Sequence, residues 1–317
     1  MSKIASKVLV TGASGFVGRH ICKRLSHGGV PLRKAVRSQA DSAGIAVGDI
    51  SCNTDWSRAL GNVDVVVHTA ARVHVMSESA DDPLSLFRKV NVDGAISLAR
   101  QAAQAGVRRL VYISSIKVNG ESTEPGQVFT AEDIPEPGDP YSVSKYEAEQ
   151  SLLEFASVSG MEVVIIRPPL IYGPGVKANF YRMMQWLMKG VPLPLASVDN
   201  MRSMVGLDNL VDLIVTCIKH PAAANQILLV SDGEDISTPE LLKRMSIALN
   251  SPVRIFPCPI VVLKACSALV GQQEAARRLC DSLQLDISKT CDLLDWTPPI
   301  SLREGLEITA DDFLKSL

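Results

Sequence analysis

The sequence lacks the features that mark several classes of protein. Of its 317 residues, 32 are basic and 34 acidic, and no long block of one sign occurs, so a nucleic-acid partner is not expected. No apolar run approaches the roughly 20 residues of a membrane helix. The first apolar stretch is interrupted by Thr-Gly and Ser-Gly, which is typical of a strand and not of a signal peptide. We therefore expect no membrane partner.

The number and spacing of the cysteines argue against two kinds of site. There are seven, an odd number, scattered along the chain without a Cys-x-x-Cys pair. This spacing favours neither a disulfide framework nor a metal site. It predicts a cytoplasmic protein with reduced, buried thiols and no bound metal.

Short apolar runs alternate with helical patterns through the first half of the chain. The predicted strands are residues 7–11, 32–36, 43–47, 63–69, 109–114 and 162–167. The predicted helices are residues 16–27, 55–60, 85–105 and 142–157. Alternation of this kind predicts parallel βαβ units, because parallel neighbours need a crossover. The expected fold class is α/β with a doubly wound parallel sheet.

The composition changes after Arg167, where proline clusters begin. We expect residues 1–171 to form one domain and residues 172–317 to form mainly a smaller α/β substrate-binding domain. Residues 204–222 are predicted to return to the first domain. The loop 121–140 is either part of the substrate mouth or a solvated connector.

A glycine-rich turn follows the first predicted strand. Gly12, Gly15 and Gly18 stand three apart and are followed by an amphipathic stretch. Glycines let the backbone approach phosphates closely, and the N–H groups at a helix start favour negative charge. The turn is typical of a pyrophosphate site.

A second pattern lies downstream. Tyr141 and Lys145 are four residues apart in a predicted helix, so their side chains project from one face. A nearby ammonium favours the phenolate and lowers the pKa of a tyrosine. Ser114 and Ser115 lie at the carboxyl end of a predicted strand, at the edge of the sheet where ligands bind, although serines there also cap turns. Together these residues indicate proton transfer next to a dinucleotide.

The ordered set of motifs resembles the extended short-chain dehydrogenase/reductases, in the branch of nucleotide-sugar epimerases, dehydratases and reductases. The matching motifs are Thr11–Gly18, His68–Ala71, Asn91–Gly94, Ser114–Ser115, Tyr141–Lys145 and Arg167–Pro174. The resemblance implies a Rossmann domain, a bound NAD or NADP, and Ser115, Tyr141 and Lys145 as catalytic residues. Relatives often dimerise through two helices, for which 85–105 and 142–157 are the candidates.

The resemblance also implies a set of binding residues. The cofactor-binding residues are Gly12, Gly15, Phe16, Val17, Gly18, Arg37, Ser38, Asp49, Ile50, Ala70, Ala71, Tyr141, Lys145 and Pro168. The substrate-binding residues are Ser115, His74, Asn179, Arg202 and Arg278. A guanidinium suits a nucleotide diphosphate because it is permanently charged and bonds two oxygens at once. For His74 an ordinary loop position, and for Arg278 a solvated helix face, remain open.

The end of the second predicted strand bears on the cofactor. NAD-dependent relatives usually carry Asp or Glu there, whereas this chain has Arg37 and Ser38, which can hold a 2′-phosphate. We therefore favour NADP(H) as the cofactor, and NAD(H) is possible. Alternatively, Arg37 stacks on the adenine without selecting between the two dinucleotides.

The expected function is reduction of the 4-keto group of a UDP-4-keto-6-deoxy-N-acetylhexosamine for surface polysaccharide synthesis. The alternative is a 4-epimerase of a UDP-hexose or UDP-N-acetylhexosamine that retains NAD. A dehydratase is disfavoured because Ile116 and Lys117 replace the acidic pair of those relatives. A reductase of small lipid or flavonoid-type ketones and a non-catalytic dinucleotide sensor are the remote alternatives. A UDP-sugar is the expected small-molecule partner, and the expected assembly is a homodimer.

Overall fold

Seven parallel strands form the large sheet of this computed structural model, which describes residues 6–38, 44–73, 82–269, 271 and 273–317. The strands are β1 Val8–Thr11, β2 Leu32–Val36, β3 Ile45–Ala46, β4 Val65–His68, β5 Arg109–Ile113, β6 Glu162–Arg167 and β9 Ile227–Leu229. Their spatial order is β3–β2–β1–β4–β5–β6–β9. All six pairings are parallel, so the carboxyl ends of β1, β4, β5 and β6 meet at one edge of the sheet.

Helices cover both faces of this sheet. They are α1 Phe16–His27, α2 Ser57–Leu60, α3 Pro83–Arg88, α4 Gly94–Gln104, α5 Pro140–Ser159, α7 Leu207–Lys219 and α11 Ser288–Leu294. Side chains alternate along each strand. Val10 and Val67 pack with α1 and α7, whereas Leu9 and Val66 pack with α4 and α5. The predicted Rossmann-type, doubly wound sheet is confirmed.

A three-stranded sheet forms the second part of the structure. Its strands are β7 Leu170–Tyr172, β8 Arg202–Gly206 and β10 Asp235–Ile236, in the order β10–β8–β7. The remaining helices are α6 Ala178–Met188, α8 Thr238–Ala248, α9 Ile260–Leu269, α10 Gln273–Cys280 and α12 Leu302–Lys315. The predicted boundary after residue 171 falls inside β7. The segment 204–222 contacts both sheets. Its first residues belong to β8, which pairs with β7, whereas α7 packs against the large sheet. The division into domains stays a prediction.

One predicted helix differs in the structure. The pattern over 85–105 predicts a single helix, but α3 and α4 are joined by a π-helical turn, Lys89–Asp93. Within it the buried Asn91 side chain accepts from Arg72 N at 2.8 Å and donates to Ser144 Oγ at 3.0 Å. The wider turn thus ties the segment after β4 to α5. Hydrophobic periodicity does not reveal it, because one extra residue in a turn hardly changes the apolar stripe.

The prediction of buried thiols is correct for only two cysteines. Cys22 and Cys217 are buried, whereas Cys52 and Cys266 are exposed. Burial raises the pKa of Cys22 to about 11, so this thiol stays protonated in the core.

Candidate active site

The turn between β1 and α1 is fixed by the contacts of its glycines. Gly12 has φ of +63°, and a Cβ on it would lie 2.8 Å from Ala70 N. A Cβ on Gly18 would overlap the carbonyl oxygen of Gly12. The first turn of α1 has no side-chain cap, so its N–H groups are not satisfied by a neighbouring side chain. Backbone and helix start together form a cradle that suits a pyrophosphate.

Gly12→Ala tests this cradle against a matched control, Gly29→Ala. Gly29 has nearly the same φ, +66°, but a Cβ there meets nothing within 4 Å. Both variants carry the cost of a left-handed alanine, about 1 kcal/mol. Only Gly12→Ala also forces β1 and the segment after β4 apart, at an additional ~1–3 kcal/mol. We therefore expect Gly12→Ala to lower Tm more than Gly29→Ala does, and to raise the Kd for the dinucleotide at least about tenfold. Equal losses in the two variants would show that backbone conformation alone explains the effect.

A groove of about 690 Å³ runs along this edge of the large sheet. It brings together the predicted cofactor residues Gly12, Gly15, Arg37, Asp49, Ile50, Ala70 and Ala71. Phe16, Val17 and Gly18 form the adjoining first turn of α1, and Ser38 follows Arg37. Sequence reasoning missed Trp56, Arg72 and Lys89, which also line the groove. Arg72 directly follows the predicted Ala70 and Ala71, so extending that motif by one residue would have found it.

The far end of the groove carries both signs of charge. Arg37 Nε lies 3.3 Å from Asp49 Oδ1, and the two side chains are 78% and 91% exposed. An ion pair so open to water is weak. The guanidinium expected to hold a 2′-phosphate therefore has a carboxylate beside it, which weakens the sequence argument for NADP(H).

Tyr141 lies in the first turn of α5. Asp139 caps this helix, with Oδ1 accepting from Ser142 N at 2.6 Å, and Pro140 occupies its first position. Shielding from water raises the pKa of Tyr141, the Asp139 carboxylate raises it further, and a hydrogen bond with Ser115 lowers it. The phenol and the serine hydroxyl are thus neighbours, as the resemblance implies. The net direction is opposite to the lowering expected from the sequence.

Lys145, one helical turn further, is buried, and its direct partners are on β5. Its ammonium donates to Ile113 O at 2.7 Å and to Tyr112 Oη at 3.2 Å. Burial lowers the pKa of Lys145 to about 7, opposed by Glu149. The lysine charge is therefore held at the end of β5.

His68 ends β4, and sequence reasoning gave it no role of its own. Its Nδ1 lies 2.7 Å from Thr11 Oγ1, and its ring stacks on Tyr112 with centroids 5.8 Å apart. Burial first, then Lys145, lowers the pKa of His68 to about 3, so the imidazole is neutral. A neutral ring here lets the Lys145 ammonium lie nearby without a second positive charge.

A second cavity, of about 410 Å³, lies over the end of α5 that carries Tyr141. It brings together five of the predicted residues, namely Ser115, Tyr141, Asn179, Arg202 and Arg278. Arg277 and Lys117 also line it and were missed, although each lies within two residues of a predicted one. His74 falls outside the described residues. Pro168 lines neither the groove nor this cavity, but its carbonyl accepts from Ile116 N at 3.0 Å and ties the loop after Ser115 to the end of β6.

The arginines give the cavity its charge. Arg202 Nη1 donates to Asp281 O at 2.8 Å. Burial lowers the pKa of Arg202, Asp281 raises it and the nearby Arg278 lowers it, as expected for two cations that face one space. Such a cluster is suited to two linked phosphates.

Among the described residues, none of the helices combines the length and the apolar character of a membrane span. No group of three or more His, Cys, Asp or Glu side chains among the described residues is arranged to bind a metal ion.

Comparison with known proteins adds to this geometry. A model of the NAD dependent epimerase/dehydratase family matches residues 8–231. A UDP-glucose 4-epimerase of Vibrio cholerae is 48% identical over 319 residues, covering 99% of this chain and 97% of the relative. Two solved structures share the fold. A UDP-glucose 4-epimerase of Thermotoga maritima with UDP-glucose has a TM-score of 0.78 at 20% identity, covering 98% and 99% of the two chains. RMD of Pseudomonas aeruginosa with NADPH has a TM-score of 0.75 at 21% identity, covering 99% and 100%.

Proposed function

Because the chain belongs to the NAD dependent epimerase/dehydratase family, we propose that it is a 4-epimerase of a UDP-hexose or UDP-N-acetylhexosamine. It is an enzyme of the extended short-chain dehydrogenase/reductase type. The observation that carries the proposal is the single cavity that contains Ser115 and Tyr141 together with Arg202 and Arg278. Proton-transfer groups and diphosphate-binding cations in one space fit a sugar diphosphate with its reacting carbon near Tyr141.

The residues present fit a nicotinamide dinucleotide. The glycine cradle leaves the backbone open at the start of α1, and the groove beside it has the volume of a ligand site. Gly12 and Gly15 would hold the pyrophosphate, Asp49 and Ile50 the adenosine end, and Lys145 and Pro168 the nicotinamide end. A nicotinamide dinucleotide bound there would supply reversible hydride transfer at the sugar carbon.

The chain's own residues would manage the proton and the position of the sugar. Tyr141 exchanges a proton with the oxygen on C4, which becomes a carbonyl oxygen when the hydride leaves. Ser115, hydrogen-bonded to Tyr141, orients that oxygen. Arg202 and Arg278 hold the diphosphate while the sugar turns between its two faces.

The relatives favour this reading over the reductase expected from the sequence. The V. cholerae relative, similar over nearly all of this chain, carries the epimerase name. Reduction of a UDP-4-keto-6-deoxy-N-acetylhexosamine with NADPH remains the second candidate, because Arg37 stands at the end of β2, where NAD-dependent relatives carry a carboxylate. NADP(H) as the cofactor, the homodimer through α4 and α5, and the cytoplasmic location stay predictions.

A turnover assay separates the two candidates. The purified protein is incubated with UDP-glucose, UDP-galactose and their N-acetylhexosamine counterparts, with and without added NAD⁺. The proposal expects the C4 epimer to form with no net change in reduced cofactor. Stoichiometric oxidation of NADPH with a UDP-4-keto sugar, and no epimer from any of the four sugars, would establish the reductase instead.

Arg37→Ala tests the choice of dinucleotide. If the guanidinium meets a 2′-phosphate, its loss should raise the Kd for NADP⁺ roughly tenfold while the Kd for NAD⁺ changes less than about twofold. Isothermal titration calorimetry measures both, with the exposed surface variant Arg303→Ala as the control. The same change in both constants would show that Arg37 only lies against the adenine.

A further inference from the structure

Lys117 is a charged side chain of the cavity that the proposed mechanism does not use. It lies two residues after Ser115, in the short 3₁₀ turn Ile116–Val118. Its ammonium pairs with the carboxylate of Asp139 and lies 3.2 Å from Glu121 Oε1. A cation already bound to two carboxylates is a poor ligand for a third anion, so binding of the sugar phosphates is not its main role.

Asp139 connects this pair to the reacting group. Its carboxylate caps α5, and its backbone N–H donates to Ser142 Oγ at 3.0 Å, so it defines where the helix begins. The same carboxylate lies close enough to the phenol to raise the pKa of Tyr141. Burial raises the pKa of Asp139, but the hydrogen bonds from Lys117 and from Ser142 N lower it below its usual value, which keeps that carboxylate ionised and paired.

Several ionisable groups lie on the elements around Tyr141. On its own helix lie Lys145, whose ammonium is engaged at β5, and Glu149, which pairs with Arg167 at 3.0 Å. Across the cavity lie Arg202, Arg277, Arg278 and Asp281. From α3 the ring of Phe87 meets the Tyr141 ring edge-on at 6.1 Å, and the neighbouring Arg88 bonds to Glu147 at 2.8 Å. Tyr112 lies on β5. Among these groups, Asp139 is the carboxylate that raises the pKa of the phenol.

We propose that Lys117 is a positioning residue that offsets the charge of Asp139 beside Tyr141 and ties the loop of Ser115 to the start of α5, so that the phenol loses its proton more readily than it would beside an unpaired carboxylate. The proposal rests on the proposed function in taking Tyr141 as the proton-transferring group. Ser115 lies in the loop after β5, whereas Tyr141 lies in the first turn of α5. The Lys117–Asp139 ion pair links this loop to the start of the helix, close to both residues.

The test uses four variants: Lys117→Met, Lys117→Arg, Asp139→Asn and the double variant Lys117→Met/Asp139→Asn. Asparagine caps a helix about as well as aspartate, so Asp139→Asn removes the charge and keeps the cap. Arginine keeps the cation and serves as the conservative rescue. Tm of each variant is measured first, to confirm that all four are folded.

The primary readout is the ionisation of Tyr141 in the protein with NAD⁺ bound. Near-ultraviolet absorbance is titrated with pH, and the curve of the same variant carrying Tyr141→Phe is subtracted. An unpaired carboxylate opposes the phenolate, so in Lys117→Met the transition should move to higher pH by about one unit, which is tenfold less phenolate at a given pH. The double variant and Lys117→Arg should titrate like the unmodified protein. The acid limb of the kcat profile should shift in the same way.

Three results would overturn the proposal. They are an unchanged Tyr141 titration in Lys117→Met, a shift that the added Asp139→Asn does not reverse, or a change in KM alone, which would make Lys117 a substrate contact. The titration needs no sugar, so a protein that turns over no UDP-hexose but shows the predicted shifts contradicts the proposed function and not the role of Lys117.

Discussion

Tyr141→Phe should lower kcat by about 10²–10⁴-fold, the range typical of a lost general acid–base group. Phenylalanine keeps the ring that contacts Phe87 and removes only the hydroxyl. The Kd for the dinucleotide should therefore change little, because the groove that would hold it is lined by other residues. Steady-state turnover with the best UDP-sugar and calorimetric binding of NAD⁺ measure the two effects.

The matched control for this variant is Tyr146→Phe. Tyr146 stands on the same helix, five residues further along, and does not line the cavity. Tyr146→Phe removes a hydroxyl from α5 without removing the proposed proton donor. Its kcat should therefore stay within about threefold of that of the unmodified protein. Full activity of Tyr141→Phe would remove the phenol from the mechanism.

Arg202→Leu should raise KM for the nucleotide sugar by roughly 10–100-fold with a smaller change in kcat. A charge-assisted hydrogen bond contributes about 1.5–3 kcal/mol, and Arg202 is held in place by its bond to Asp281 O. The diphosphate is bound equally in the ground state and the transition state. Loss of the arginine contact therefore weakens substrate binding more than it slows the chemical step.

The control is Arg244→Leu, a surface arginine of α8 that pairs with Glu234 and Glu240 away from the cavity. It changes net charge by the same amount. Tm of both variants separates a lost contact from a loosened fold. An unchanged KM in a folded Arg202→Leu would mean that Arg202 does not bind the diphosphate, which would leave Arg277 and Arg278 as the arginines of the cavity that can.

Local patterns predicted much of the fold. The predicted helix 16–27 coincides with α1, because an apolar stripe and a glycine at each end define both its face and its limits. All six early strands were placed within two residues of their observed ends. The central ones, such as β1 and β4, are buried on both faces, and such strands are nearly continuous runs of β-branched and aliphatic residues. The glycine turn and the Tyr141–Lys145 spacing were visible for the same reason, since each depends on residues only a few positions apart.

The tertiary structure decided what depends on distant segments. The sequence determined that a phosphate turn and a Tyr/Lys helix exist. The meeting of Arg202, Arg277 and Arg278 with Tyr141 follows from the tertiary fold, which places β8 and α10 around the same cavity as the start of α5. The Asp49 carboxylate beside Arg37, the engagement of the Lys145 ammonium at β5 and the Lys117–Asp139 pair likewise join residues 12 to 32 positions apart. No local periodicity encodes such pairs, because the free energy that selects them comes from burial and charge in the assembled fold.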